Sequence, residues 1–177
     1  MRIRLILGLS LASMVAFGTS AYFVTKVQDT TPPAAGSNMT PQTFIIQEDI
    51  DDAWVKEIKT FPYDLPPGKL FPSTAPAFFH TESNEETSYA SDLIGQIAAR
   101  YWRCAWLEQS LDVGEDDSGS HSRKTEIEQQ LASERWESIP EVKRNMDVDA
   151  YLPDMKDYAD KVGQSRELVE FQSECHL

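Results

Sequence analysis

Carboxylates at helical spacing are the first residues in this chain that could do chemistry. The chain has 29 Asp and Glu residues, and Glu108 and Asp112 would share one face of a helix. A glycosidase can use such a pair when an apolar pocket raises the pKa of one carboxyl. Glu108 is the candidate acid because it follows Trp106 and Leu107 on a helix predicted to be buried, where desolvation would raise its pKa. The alternative is an exposed Glu108, or one in a salt bridge with Arg103 or a neighbouring helix.

The densest cluster of recognition side chains lies in the hexapeptide YWRCAW, residues 101–106. Trp102 and Trp106 are four residues apart, and Arg100 and Arg103 flank them. Arginine beside aromatic rings is typical of surfaces that bind a carbohydrate or an acidic partner, so these four residues form a candidate interaction surface. The alternative, which we favour, is core packing around a disulfide, since Trp commonly packs inside small domains.

Other catalytic chemistries lack the residues they need. The three histidines, His80, His121 and His176, are all predicted in loops or at the C-terminus. No Gly-x-Ser-x-Gly motif accompanies them, so the sequence gives no support to a serine hydrolase.

Metal sites are equally poorly supported. Residues 112–117 resemble part of a calcium loop, but Asp117 and Arg123 stand where an EF-hand requires Gly and Glu. This pattern excludes an EF-hand and leaves room only for weak calcium binding. Cys175 and His176 have no second Cys or His at the spacing that zinc requires. We therefore predict neither a metal site nor a cofactor.

The N-terminus carries an apolar run that only a membrane or the export machinery explains. Residues 5–24 contain no charge, while Arg2 and Arg4 precede them and Lys26 follows. A helix of that length spans roughly 30 Å of hydrocarbon, and the charges favour an N-terminus inside the cell. The alternative is a signal peptide cleaved after Ala21, which would release a secreted protein. In both cases everything after Lys26 is expected outside the cytoplasm.

Two cysteines in an exported chain predict one disulfide. Cys104 and Cys175 are the only cysteines, so none is left unpaired. The bond would close a loop of about 70 residues and stabilise the fold by roughly 4 kcal/mol in the chain-entropy model. The alternative is two buried free thiols.

Proline marks two further segments, and eight of the ten prolines lie between Pro32 and Pro76. Residues 28–42 are poor in large apolar side chains and are predicted to be a flexible linker. Residues 61–79, here called the strap, interleave proline with aromatic and aliphatic side chains that need covering. We expect an extended strap across a helical core; the alternative is a polyproline ligand for an aromatic groove.

Hydrophobic periodicity predicts a mainly α domain over residues 43–177, with one long central helix and three or four smaller ones. Apolar residues recur at three- and four-residue spacing from Tyr89 to Leu111, behind a capping box at Ser83–Glu86. No segment shows sustained alternation, so no strand is predicted. Smaller helices are predicted over residues 48–59 and 123–138, from Pro140 behind a second capping box at Ser138–Glu141, and from Pro153, with an end or bend at Gly163 before residues 168–175.

The acidic charge restricts the partners. The net charge is -13 at pH 7, although the first 27 residues contain three cations and no acidic residue. An acidic domain repels nucleic acid and anionic lipid head groups and suits a basic protein.

Two functional hypotheses follow. The first is a binding module of the cell envelope, tethered by an N-terminal signal-anchor at residues 1–27 or secreted after cleavage, whose partner is another envelope protein. The second is an envelope hydrolase of glycosidase type that uses Glu108 and a nearby Asp.

Overall fold

A computed structural model describes residues 43–82, 86–113 and 120–176. Of these residues 68% are helical, in seven α-helices and two 3-10 turns, and the rest include one two-stranded sheet, which confirms the predicted mainly α fold. The predicted signal-anchor, residues 1–27, and the linker, residues 28–42, lie outside the described residues. Within the described part, no helix is long and apolar enough to cross a membrane.

The elements follow one another with short connections, apart from the strap between the first two helical regions. Two single 3-10 turns lie at Gln47–Asp49 and Ala77–Phe79. The strands and helices are β1 (Phe44–Ile46), α1 (Ile50–Thr60), β2 (Ser88–Ala90), α2 (Ser91–Asp112), α3 (Ser120–Gln130), α4 (Ser133–Glu137), α5 (Pro140–Asn145), α6 (Val148–Val162) and α7 (Arg166–Glu174).

A small antiparallel sheet is the feature that sequence periodicity missed. β1 pairs with β2 so that Phe44 lies opposite Ala90, and Ile46 lies opposite Ser88. Each strand has only three residues, which is too short for a two-residue period to stand out from chance.

The central helix also begins later than predicted, because of the sheet. The predicted capping box placed that start after Ser83, but α2 begins at Ser91 because the preceding residues pair with β1. Ser83 itself lies outside the described residues. Tyr89, assigned to the helix by its spacing, belongs to β2.

The predicted helix over residues 123–138 is two helices, α3 and α4. The break falls at Leu131 and Ala132, where the buried Leu131 side chain still continues the apolar stripe. The second capping box marks the right place, since α5 begins at Pro140, but its Ser138 does not cap the helix. The Ser138 hydroxyl instead donates to the Arg135 carbonyl oxygen at 2.5 Å.

Pro153 lies inside α6, and the prediction that it begins a helix is wrong. The helix begins at Val148, where the Asp147 carboxylate accepts a hydrogen bond from the Ala150 N–H at 3.0 Å. This cap satisfies a backbone donor of the first turn. Gly163 ends the helix as predicted, with a φ of 69°, a left-handed conformation that glycine adopts without steric cost.

The described part of the chain has one long central helix, as predicted, but six smaller helices accompany it rather than three or four. One cluster packs the C-terminal half of α2, including Trp102 and Trp106, against α3, α4, α5 and α6. A second cluster packs the N-terminal half, including Ile94 and Ala98, against α1 and the end of the strap. α2 therefore contributes to both parts of the core, and side chains on its surface are the ones the fold positions most firmly.

Candidate functional site

The contact between α2 and α7 contains the predicted disulfide. Cys104 and Cys175 are bonded, with their Cα atoms 5.5 Å apart. The two thiols are therefore not free in the structure. The bond ties the end of the last helix to the middle of the central one.

A buried ion pair lies beside this disulfide. Arg103 donates to both carboxylate oxygens of Glu170, with the Arg103 Nη2 to Glu170 Oε2 distance at 3.0 Å. The two residues are only 2% and 1% exposed. The guanidinium carbon lies 3.9 Å from the ring centre of Trp136, and the third guanidinium nitrogen, Nη1, donates to the Leu131 carbonyl oxygen. A bidentate pair of this kind has its hydrogen bonds and its charge satisfied within the core.

Tyr151 completes the polar region in this part of the core. Its ring packs edge-on against Trp136, with the ring centres 5.5 Å apart. Burial first, and then the negative charges of Glu170 and Glu174, raise the pKa of Tyr151 well above its usual value. The hydroxyl therefore stays protonated at physiological pH and is no candidate for a general base.

The candidate interaction surface of Arg100, Trp102, Arg103 and Trp106 is corrected by this geometry. Trp102, Arg103 and Trp106 are buried, because the C-terminal half of α2 faces the core on most of its circumference. Arg100 is partly exposed, and its Nη2 lies 2.7 Å from Glu174 Oε2 in α7. The structure therefore supports core packing around the disulfide as the role of this cluster.

The aromatic side chains of α2 hold the strap. The indole N–H groups of Trp102 and Trp106 both donate to the Asp64 carbonyl oxygen, at 3.0 and 3.2 Å. The Tyr101 hydroxyl donates to the Leu70 carbonyl oxygen at 3.0 Å. Prolines remove backbone donors from the strap but leave its carbonyl oxygens as acceptors. The hexapeptide is thus a row of aromatic donors for an acceptor-rich segment.

The strap packs as the sequence predicted for its apolar rings. Phe61, Tyr63 and Phe71 contact the core clusters, and Trp54 of α1 donates its indole N–H to the Pro72 carbonyl oxygen at 2.8 Å. Leu70 and Phe78 are exceptions, with 83% and 44% of their surfaces exposed. A strap held on both sides by hydrogen bonds is a structural element rather than a free polyproline ligand.

Glu108 does not lie in an apolar pocket. Its carboxylate oxygens accept hydrogen bonds from Lys69 Nζ, each at 2.7 Å, and the two side chains are 43% and 41% exposed. This hydrogen bond raises the pKa of Lys69. The desolvation that an acid catalyst would need is absent around Glu108, and the salt bridge joins α2 to the strap.

A second pair of carboxylates, Glu57 of α1 and Glu141 of α5, lies beside the N-terminal half of α2. The side chains of Glu57 and Glu141 converge over Gly95, where an added Cβ would lie 3.1 Å from Glu57 Oε1 and collide with the Glu141 side chain. Burial first, and then the charge of Glu141, raise the pKa of Glu57. Glu141 itself pairs with Arg144 at 2.7 Å. A side chain at position 95 would force the Glu141 side chain to move, and the sequence spacing could not reveal this close approach.

This pair predicts a specific pH dependence of stability. The pKa of Glu57 is raised above 4.5 in the folded protein, so the folded state holds this proton more tightly than the unfolded chain does. The free energy of unfolding therefore falls as the pH rises from 4.5 through the raised pKa, and it stays lowered at neutral pH. Glu57→Gln should therefore increase the free energy of unfolding at pH 7 and lose that advantage at pH 4. Urea unfolding at both pH values measures the difference, with the exposed Glu128→Gln as control. Equal effects at the two pH values would contradict the prediction.

An open groove runs between β1 and the N-terminal half of α1. Its volume is about 500 Å³. Phe44 and Ile46 are 51% and 39% exposed, unlike most large apolar residues of the domain. Its lining consists of Phe44, Ile45, Ile46, Asp49, Asp52, Ala53 and Lys56. This β1–α1 groove combines accessible apolar side chains with charge, and no sequence pattern indicates it, because a strand as short as β1 has no recognisable periodicity.

Metal binding gains no support from the described residues, among which no group of three His, Cys, Asp or Glu side chains is placed to hold an ion. Most of the calcium-like segment after Asp112 lies outside that part of the chain. No protein-family model, curated protein or solved structure matches the sequence.

Proposed function

We propose that this protein is an exported, disulfide-stabilised helical binding module that contacts another protein of the cell envelope. Residues 5–24 would tether it to the membrane, and residues 28–42 would link that tether to the domain. The observation that carries the proposal is the β1–α1 groove, where Phe44 and Ile46 remain exposed beside Asp49 and Asp52. Exposed apolar groups rimmed by polar residues are typical of protein contact sites.

Three further observations bear on this proposal. The Cys104–Cys175 bond suits an oxidising compartment. The hexapeptide at 101–106 is committed to the core and the strap, so its side chains already have partners. Glu108 is half-exposed and paired with Lys69, which removes the basis for a glycosidase-like acid.

The location can be tested with the full chain carrying a C-terminal tag. We expect the protein in the membrane fraction after alkaline extraction, with its N-terminal residues present by intact-mass measurement. Recovery of a soluble chain beginning near Tyr22 would replace the anchor by a cleaved signal peptide. As a control, Leu11→Arg with Val15→Arg should abolish both membrane retention and export, because arginine at the centre of the span costs about 2.5–3.5 kcal/mol.

Export is tested separately by the state of the cysteines. A maleimide reagent of high mass should leave the native protein unshifted on a gel unless the disulfide is first reduced. Labelling of two free thiols in the freshly isolated, non-reduced protein would place the domain in a reducing compartment and overturn the proposal.

A further inference from the structure

We propose that the β1–α1 groove binds an extended, positively charged and partly apolar segment of a partner protein, which pairs with the edge of β1 that no strand among the described residues covers. This inference rests on the proposed binding function and specifies the chemistry of the partner. It joins three independent properties of the groove, namely a strand edge, accessible apolar side chains and uncompensated acidic charge.

The strand edge follows from the register of the sheet. The Ser91 N–H donates to the Thr43 carbonyl oxygen at 2.9 Å, and the Gln47 N–H donates to the Thr87 carbonyl oxygen at 3.0 Å. Backbone groups of alternate residues in a strand point to opposite edges. Thr43 and Gln47 therefore direct theirs towards β2, while the intervening Phe44 directs its N–H and carbonyl away from it. An extended peptide can add to such an edge through main-chain hydrogen bonds.

The apolar component comes from alternate side chains of the same strand. Phe44 and Ile46 are exposed on one face, whereas Ile45 points to the other and packs against the core around Trp54. A bound segment with apolar residues at every second position would cover Phe44 and Ile46. Two accessible apolar side chains at a strand edge are also an aggregation risk unless a partner covers them.

The charge of the groove selects a basic occupant. Asp49 and Asp52 line it, and Glu48, the residue before Asp49, is exposed, whereas Lys56 is the single cation among the described lining residues. Among the described residues, no cation forms an ion pair with Asp49 or Asp52. Lysine or arginine at the alternate positions of a bound segment would supply the missing charge and steer its approach.

Two other occupants fit the charge less well. A second copy of this chain has the same net charge of -13, so two acidic grooves facing each other would repel. Residues 28–42 of the same chain contain one Asp and no cation, so they cannot neutralise the acidic rim. A basic segment of a different protein remains the occupant that the charges favour.

The test is a titration of the full chain, in mild detergent, into three fluorescently labelled peptides. The probes are a Lys-Val alternating heptapeptide, a Glu-Val heptapeptide and a Lys-Gly heptapeptide, followed by fluorescence anisotropy. We expect the Lys-Val peptide to bind, and the other two to bind at least about tenfold more weakly because each lacks one component of the match. Equal binding of the Glu-Val peptide would overturn the charge argument, and equal binding of Lys-Gly would overturn the apolar one.

Variants of the groove locate the binding. Asp49→Asn with Asp52→Asn should weaken the Lys-Val peptide by about threefold to tenfold, the factor expected for two exposed charge pairs. Phe44→Ser should weaken it as well. The matched control on α6 is Asp154→Asn with Asp157→Asn, which removes the same charge from another exposed helix. An equal loss in that control would overturn the site.

The remaining outcomes separate this inference from the proposed function. If Phe44→Ser does not fold, the Asp49 and Asp52 substitutions still test the site, because both side chains are exposed. Dissociation of a dimer by Phe44→Ser in sedimentation would show a second copy in the groove and overturn the basic partner. Failure of every peptide to bind overturns the inference alone, whereas a cytoplasmic, reduced chain overturns the proposed function.

Discussion

Glu170→Gln is expected to lower the free energy of unfolding by about 3–5 kcal/mol, the cost of breaking one side of a buried ion pair. The substitution keeps the shape of the side chain but leaves the Arg103 guanidinium without its counter-charge, in a position that is only 2% exposed. The Leu131 carbonyl and the Trp136 ring cannot replace a carboxylate as partners of a cation. Urea unfolding followed by circular dichroism measures the loss.

Two control variants separate the buried charge from the helix contact itself. Glu174→Gln removes the neighbouring, partly exposed pair with Arg100 and should cost no more than about 1 kcal/mol. Arg103→Met with Glu170→Leu removes both charges together and should be markedly more stable than Glu170→Gln, since apolar replacement of a buried pair is often tolerated. Equal stability of Glu170→Gln and the native protein would mean that water reaches this pair.

The parts of the fold that the sequence predicted are those with local signals. The central helix has apolar residues at helical spacing over most of its length, and the two cysteines leave only one pairing. The left-handed stop at Gly163 is also local. The helix and its glycine stop depend on residues close together in the sequence, and the disulfide depends only on the number of cysteines. These features can therefore be found without the tertiary structure.

The parts that it missed depend on contacts distant in the chain. Arg103 and Glu170 are separated by 67 residues, and nothing in the sequence around Arg103 distinguishes a buried guanidinium from an exposed one. The start of α2 at Ser91 depends on the pairing of β2 with β1, more than 40 residues earlier. The capping signal at Ser83 therefore does not predict the start of α2, because the residues before Ser91 form a strand that has no recognisable periodicity.

The candidate site shows the same division. The hexapeptide 101–106 is as unusual as the sequence indicates, but its side chains contact the strap and the core. The burial that the sequence predicts for Glu108 is wrong, because its side chain is 43% exposed and paired with Lys69 of the strap. The β1–α1 groove depends on a three-residue strand and could only be found in the folded structure.

Cys175→Ser is expected to lower the free energy of unfolding by about 2–5 kcal/mol, the range for the loss of a native disulfide. The bond joins residues 71 positions apart, so the reduced unfolded chain gains considerable freedom. In the folded protein α7 would then be held mainly by Arg103–Glu170, Arg100–Glu174 and its buried Val169. We expect its last turn to fray, because residues 171–176 are only half-buried or exposed.

Thermal unfolding and limited proteolysis measure the two consequences separately. The midpoint should fall, and protease should remove the C-terminal segment of Cys175→Ser while the native protein stays intact. Cys104→Ser with Cys175→Ser is the matched control, since it removes the bond without leaving a lone thiol to react, and its stability should equal that of the single variant. Native-like stability of both variants would show that the ion pairs alone hold α7 on α2. Loss in the single variant only would assign the effect to the unpaired Cys104 rather than to the missing bond.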